Sequence, residues 1–202
     1  MALVVIALPL TSVLYQRGAF DAGDTAATAL ALAIYGAGLP AFVLQKVLQP
    51  LYFAREDTRR PFRYAVASMI INAGIAIGLM PLIGFAAAAL ATTLSGWIMV
   101  AQLWAGSRAM GPEARLDPRF RSRAPRIVAA SLAMGALLWA ASLALGPMLG
   151  TEGWRYIGLS ALVVTGIVSY FGIGTLIGAF RLSDFAALRR NKIDLPNGPE
   201  NP

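Results

Sequence analysis

The 202-residue chain contains neither cysteine nor histidine, and only 13% of its residues are charged. The absence of cysteine excludes disulfides, thiol nucleophiles and cysteine-based metal sites, and the absence of histidine removes the commonest acid–base group. No pair of carboxylates stands out within an apolar stretch of the sequence. The sequence therefore predicts no catalytic residue, no metal and no cofactor.

The few charges are concentrated in short segments between long uncharged runs. Hydrophobic residues make up 57% of the chain, whose formal net charge is +7. A basic soluble protein would suggest a nucleic-acid partner, but here the basic residues lie between apolar runs, where they are expected to set the orientation of a membrane protein. We therefore predict an all-α integral membrane protein, built as a helical bundle, with no nucleic-acid partner.

Four uncharged or nearly uncharged runs are long enough to cross a bilayer core about 30 Å thick, which takes about 20 helical residues. The longest, from Tyr64 to Ser107, would form a single helix about 66 Å long. It is therefore predicted to be two spans, with a turn at Pro81 and Gly84. The predicted spans cover about 25–51, 64–80, 85–104, 126–145 and 156–180.

The first 15 residues differ from the other apolar runs because they are too short to cross a bilayer core. No basic segment precedes them and no small-residue cleavage site follows, so a signal peptide fits poorly. We predict that residues 1–15 form the second half of a spanning helix. This interpretation implies further protein before the chain.

Lysine and arginine alternate from one side of the predicted bundle to the other. Fourteen of them fall in loops on one side, while only Arg17 and Arg155 fall on the opposite side and Lys46 lies inside a span. The positive-inside rule places the rich side in the cytoplasm. The sequence thus predicts a basic cytoplasmic loop at 108–125, a cytoplasmic tail at 181–202 and a cytoplasmic C-terminus.

Lys46 is the one charged side chain inside a predicted span. A charge within the membrane is a functional hypothesis by default, and in this case Lys46 would line a polar cavity that holds substrate. The alternative is that its long side chain reaches the nearby cytoplasmic interface or forms a structural ion pair. Both interpretations stay open.

Asn72 lies midway along the span at 64–80, and Thr92 and Thr93 lie at a similar depth in the next span. One interpretation is a hydrogen bond between the two helices, since polar groups in a membrane are satisfied internally. The other is an oxygen-lined ion site. Such a site would favour a carboxylate one turn after Asn72, where the chain has Ala76.

Small residues recur at four-residue spacing in three of the spans. Such pairs are packing devices that let helices approach closely. The alternative, for the glycine-lined face of the last span, is a groove for a lipid chain. The pairs are Gly74 and Gly78, Ser131 and Gly135, and Gly174 and Gly178.

Three segments carry a pattern that hydrophobicity alone does not explain. They read RGAF at 17–20, YGAGLP at 35–40 and, most specifically, KVLQPLYFAREDTRRP at 46–61. In these segments, and more weakly across the later spans, the chain resembles the MurJ (MviN) family of the MOP exporter superfamily. The resemblance implies a MATE-like fold of fourteen helices, arranged as two six-helix lobes and an extra C-terminal pair.

The resemblance also assigns each region of the chain a place in that fold. Residues 1–15 would end one helix, 16–107 would complete the second lobe, and 126–180 would form the extra pair. The missing N-terminal part of the same protein would supply the first lobe and the cavity arginines. Asn72 and Thr92 match positions of a sodium site in some members, although Ala76 replaces a carboxylate of that site.

The activity that the resemblance implies is a lipid II flippase of the bacterial inner membrane, which is a transporter and not an enzyme. Lipid-linked peptidoglycan precursor and membrane lipids would be its partners, and alternating access its mechanism. One alternative is another exporter of the superfamily, for polysaccharide-linked lipids or drugs. A more distant one is an enzyme acting on polyprenyl phosphates, for which Glu56 and Asp57 are the only acidic candidates.

Overall fold

The computed structural model describes residues 1–108, 110–111, 118–151 and 153–178, and every regular element in these ranges is an α-helix. Five helices are long and apolar enough to cross a membrane, as predicted. In the fourth of them the candidate span is Ser122–Ala144. The predicted fold class, an all-α membrane bundle, is confirmed. The elements are α1 (Ala2–Val5), α2 (Ala7–Tyr15), α3 (Ala22–Phe53), α4 (Arg59–Ile83), α5 (Ala86–Arg108), α6 (Pro118–Ala144), α7 (Gly146–Leu149) and α8 (Arg155–Leu176).

The turn between α4 and α5 lies later than predicted. Pro81 is inside α4, and the helix ends at Gly84, whose φ is +58°. A proline near the end of a helix removes only one backbone hydrogen bond, whereas the left-handed conformation that ends a helix strongly favours glycine. The prediction of a turn that includes Pro81 is therefore wrong by about one helical turn.

The basic segment predicted as a loop at 108–125 is partly helical. α6 begins at Pro118, so Pro125, which was expected in the first turn, lies well inside the helix. Arginine is a good helix former, and a span can continue as a helix beyond the apolar layer. Charge thus marks where the chain leaves the membrane and not where its helix ends. The predicted tail at 181–202 lies outside the described residues.

The N-terminal segment forms two short helices that meet at Ile6. Pro9 explains the break, because its ring opposes a helical hydrogen bond to the carbonyl of Val5 but is tolerated in the first turn of a new helix. Both helices pack against α3, and they also contact α6 and α8. The segment therefore joins the two halves of the bundle.

The longer helices form two packed units. α5 lies between α3 and α4 and is the central helix of the first unit. The most apolar stretch of α5 is 56% buried, whereas that of α4 is only 6% buried. The second unit is the pair α6 and α8. The core of the first unit includes Leu48, Tyr52 and Leu103, and that of the second includes Leu138 and Leu162, all of them at most 2% exposed.

Candidate functional site

The contact between α3 and α5, here called the α3–α5 seam, is held by hydrogen bonds from side chains to backbone carbonyls. The hydroxyl of Thr93 donates to the carbonyl of Ile34 at 2.9 Å, and the indole N–H of Trp97 donates to the carbonyl of Ala37 at 3.2 Å. Both acceptors lie in the part of α3 that precedes Pro40. These two polar side chains of α5 are thus satisfied inside the bundle, as a membrane environment requires.

Further along the α3–α5 seam the hydrogen bonds run in the opposite direction. Gln45 of α3 donates through Nε2 to the carbonyl of Gly96 at 2.9 Å, and the buried hydroxyl of Tyr52 donates to the carbonyl of Leu103 at 2.6 Å. Donors on both helices therefore fix the register of α3 against α5. None of these four donors was predicted to join α3 to α5, although a polar residue within an apolar run was an available signal.

Lys46 lies on the face of α3 that points away from the α3–α5 seam, and its side chain is exposed. Its neighbours on that face are apolar and also exposed, with Val43 at 61% and Val47 at 55%. Within the described ranges no carboxylate pairs with the Lys46 ammonium. It lies about 10 Å from the end of α3 at Phe53, given a rise of about 1.5 Å per residue. Lys46 is therefore an exposed cation whose neighbours one position after it and three positions before it, Val47 and Val43, are apolar.

Asn72 joins α4 to α5 through two hydrogen bonds. Its Nδ2 donates to the hydroxyl oxygen of Thr92 at 3.3 Å and to that of Ser95 at 3.2 Å. Ser95, which sequence reasoning missed, lies one turn after Thr92 and so shares its face of the helix. Thr93, which was named together with Thr92, contacts α3 instead. We call Asn72, Thr92 and Ser95 the polar cluster.

The polar cluster offers an ion only neutral oxygens. Two of them are hydroxyls that already donate to carbonyls of their own helix, Thr92 to Ala88 at 2.9 Å and Ser95 to Thr92 at 3.1 Å. In the described part of the chain no group of three acidic, histidine or cysteine side chains comes together. A hard cation prefers six or more oxygens with carboxylates among them. The recorded geometry is that of a link between helices.

The segment at 46–61 that carries the family resemblance has a defined structural role. It contains the last turns of α3 up to Phe53, forms a tight loop in which Glu56 has a φ of +57°, and begins α4. The carboxylate of Asp57 accepts a hydrogen bond from the backbone N–H of Arg60 at 3.1 Å and pairs with its guanidinium at 3.2 Å. The motif thus encodes the connection between two helices of the first unit.

The closest approaches between helices at a glycine do not occur at the predicted pair Gly74 and Gly78, whereas the predicted Gly135 does lie against α1, where an added Cβ would be 3.7 Å from Val5. At Gly74 and Gly78 an added Cβ would have no described neighbour within 4 Å, so the predicted close approach at this pair is not found. At Gly38 an added Cβ would lie 2.8 Å from the Thr93 hydroxyl, and at Gly106 it would lie 2.5 Å from a tyrosine hydroxyl. Neither has a small partner four residues away, which explains why the spacing rule overlooked both.

The five apolar helices, and the side-chain donors that are satisfied by neighbouring helices, define a multi-pass integral membrane helical bundle. The sequence profile of the family described as lipid II flippase MurJ matches residues 1–165. The chain therefore belongs to the MurJ family of lipid II flippases, as its resemblance in three segments predicted.

Individual relatives agree with this assignment. The chain is 34% identical over 194 residues to the probable lipid II flippase MurJ of Rhizobium tropici, a match that covers 95% of this chain and 36% of that protein. The identity to the probable lipid II flippase MurJ of Rhizobium meliloti (strain 1021) is 36% over 185 residues, which is 90% of this chain and 34% of that protein. The identity to the lipid II flippase MurJ of Burkholderia cenocepacia is 31% over 180 residues, which is 88% of this chain and 35% of that protein. The chain thus spans about a third of the length of these relatives.

Proposed function

We propose that this chain is part of a lipid II flippase, which moves lipid-linked peptidoglycan precursor from the inner to the outer leaflet of the bacterial inner membrane by alternating access. The match of residues 1–165 to the MurJ family carries the proposal. The α3–α5 seam supports it, because rocking of one lobe against another requires helices that move as a rigid unit. In this proposal residues 16–107 complete the second lobe and 126–180 form the additional C-terminal pair.

The proposed orientation places the arginine-rich loops and the C-terminus in the cytoplasm. Support comes from the distribution of basic residues, fourteen on one side against two on the other, together with the five candidate spans. Arg17 and Arg155 then lie on the outer side of the membrane. The helices that correspond to the other two-thirds of the relatives' length would complete the transport pathway as the partner of this bundle.

Lys46 is the proposed cavity residue of this part of the transporter. Its ammonium is exposed on a face that α5 does not cover, and it has no described carboxylate partner. A cation in that position suits the phosphate and carboxylate groups of a lipid-linked precursor, whose binding would supply the missing counter-charge.

The test is a chimera in which this chain replaces the matching segment of the Rhizobium tropici relative, expressed in cells depleted of their own flippase. We expect the chimera to restore growth and the 202-residue chain alone not to restore it. Lys46→Met in the chimera should abolish growth while membrane insertion stays normal, whereas Val47→Met, at the neighbouring exposed position, should be tolerated. Normal growth with Lys46→Met would remove the cavity role, and failure of the parent chimera would count against the flippase function.

For the polar cluster we propose a link that holds α4 against α5 and does not bind a coupling ion. The absence of a carboxylate at Ala76 and the hydroxyls already bonded to carbonyls support this role. Growth of the chimera should then be independent of sodium, and Asn72→Leu should lower the stability of the protein. A strict sodium requirement that disappears in Asn72→Leu would instead assign the cluster to an ion site.

A further inference from the structure

A cavity of about 550 Å³ lies at the end of the bundle opposite the arginine-rich loops. It opens where α2 ends, where α3 begins and where the residues after α7 lead into α8. One part of its wall is apolar and another part is polar. The residues that matter for its chemistry are Leu8, Leu149, Ser12, Gln16, Thr25 and Arg155.

Arg155 is the charged residue among the described residues of this wall, and it is the first residue of α8. Its guanidinium lies over the ring of Tyr156, 5.2 Å from the centroid, and makes one long contact of 3.5 Å with the Tyr156 hydroxyl. Its Nε is screened from solvent and has no hydrogen-bond acceptor among the residues that the structure describes. A buried donor left without an acceptor is costly, so an anionic group bound at this position would supply the acceptor that the described residues do not.

The other polar groups around the cavity also favour an anion. The first turn of α8 has no side-chain cap, which leaves backbone N–H groups at the positive end of the helix dipole. The carboxamide of Gln16 has no recorded partner within the described ranges. The nearby acids Asp21 and Asp24 are bound to each other's backbone N–H in a capping box, at 2.9 and 3.3 Å.

The depth of the cavity identifies the kind of anion. Tyr15, Trp154 and Tyr156 lie at the same end of the bundle and are 58%, 56% and 44% exposed, and exposed aromatic rings of this kind mark the interface between lipid and water. The cavity therefore lies at headgroup level, with Leu8 and Leu149 on its apolar side. A ligand with a phosphate and an attached hydrocarbon chain matches both parts of the wall.

We propose that this cavity binds the phosphate of an anionic membrane lipid at the bilayer surface, with Arg155 as its principal ligand. The guanidinium presents a planar fork of N–H donors that pairs with two phosphate oxygens. The hydroxyls of Ser12 and Thr25 donate to backbone carbonyls of Pro9 and Asp21, at 3.1 and 2.7 Å, so they shape the pocket and Arg155 carries the charge. The site is independent of the proposed transport activity.

The test uses the purified full chain, exchanged into mixtures of phosphatidylglycerol and phosphatidylcholine, with the retained lipid measured by native mass spectrometry. We expect the wild-type chain to retain phosphatidylglycerol preferentially and Arg155→Gln to reduce that preference about tenfold, the loss of one charge-assisted pair. Arg155→Lys should retain part of it, because an ammonium cannot form the bidentate contact. Arg17→Gln is the matched control, since Arg17 lies at the same end but donates to the carbonyl of Leu14 at 2.8 Å.

Two further arms keep the proposal falsifiable. Ser12→Leu fills the cavity without changing its charge, and it should also lower phosphatidylglycerol retention even if Arg155→Gln fails to fold. Displacement of the lipid by excess inorganic phosphate would assign the site to a free anion and overturn the lipid assignment. Equal retention of both lipids by the wild-type chain, or equal effects of Arg155→Gln and Arg17→Gln, would overturn the site itself.

Discussion

The two packed units of this bundle are held together by different means. In α3, α4 and α5, side chains reach across to the neighbouring helix, as Thr93 does to Ile34 and Tyr52 to Leu103. In α6 and α8 the hydroxyls of Ser131, Ser142, Ser169 and Thr175 donate within their own helix, and apolar side chains around Leu138 pack between the two helices.

This difference decides what each unit can do. Hydrogen bonds to particular carbonyls fix one register between helices, because a shift of one residue breaks all of them together. Contacts between apolar side chains and small residues depend on shape. They resist a small shift of one helix along the other far less than hydrogen bonds to particular carbonyls do. The first unit is therefore expected to behave as a rigid body and the α6–α8 pair as the more adjustable part.

The largest effect is expected from Leu138→Ala in the adjustable pair. Leu138 is fully buried and contacts Gly166, where an added Cβ would lie 3.4 Å from the leucine methyls. The cavity should cost about 2 to 5 kcal/mol and loosen α6 from α8 while α5 stays packed. The chain has no native cysteine, so labelling of single cysteines at Ala130 and Ala91, both fully buried, measures the two units separately. Equal loss of protection at both positions would contradict the division into two units.

A smaller loss is expected when a side chain is added to the tight end of the first unit. In Gly106→Ala the new Cβ would meet the hydroxyls of Tyr52 and Tyr64, at 2.5 and 2.7 Å, and overpacking of this kind costs about 1 to 3 kcal/mol. Gly74→Ala, where no described atom lies within 4 Å, is the control and should raise stability by about 0.5 to 1 kcal/mol, the usual gain of alanine over glycine inside a helix. Detergent-induced unfolding measures both, and similar midpoints for the two variants would refute the assignment of close packing to Gly106.

Removal of one cross-helix hydrogen bond should have a moderate effect. Thr93→Val keeps the shape of the side chain but removes the donor to the Ile34 carbonyl, and such bonds in membranes contribute about 0.6 kcal/mol on average. Ser142→Ala in α6 removes an exposed bond within a single helix and should change the free energy of unfolding by less. The comparison between the units would fail if Ser142→Ala were the more damaging of the two.

The smallest effect is expected in the loop between α3 and α4, where the substitution should stabilise the protein and not destabilise it. Glu56 adopts a φ of +57°, a conformation that costs an L-residue about 1 to 2 kcal/mol and glycine almost nothing. After allowance for the greater freedom of glycine in the unfolded chain, Glu56→Gly should raise the free energy of unfolding by about 0.5 kcal/mol. Glu56→Ala removes the same charge and keeps the strain, so an equal gain in that variant would point to charge and not to backbone conformation.

The sequence was sufficient to predict the number and order of the spans, because uncharged runs of about 20 residues are rare outside membrane helices. It was less informative about helix ends, since arginines such as Arg59 and Arg123 continue the helix beyond the apolar run. It identified Asn72 and Thr92 but not Ser95, and it favoured Gly74 over Gly106. Such choices depend on which face of a helix meets a neighbour, and a uniformly apolar span carries little periodicity to show it.

The break at Ile6 has a consequence for biosynthesis. Ile6 belongs to a core cluster with Leu138 and Leu162, which are made some 130 residues or more later in the chain. At a translation rate of about 5 to 20 residues per second, that interval is about 7 to 26 seconds. During this time α1 and α2 can pack against α3 but not yet against α6 and α8. Membrane insertion factors therefore have their longest opportunity to bind the side of α1 and α2 that is still uncovered.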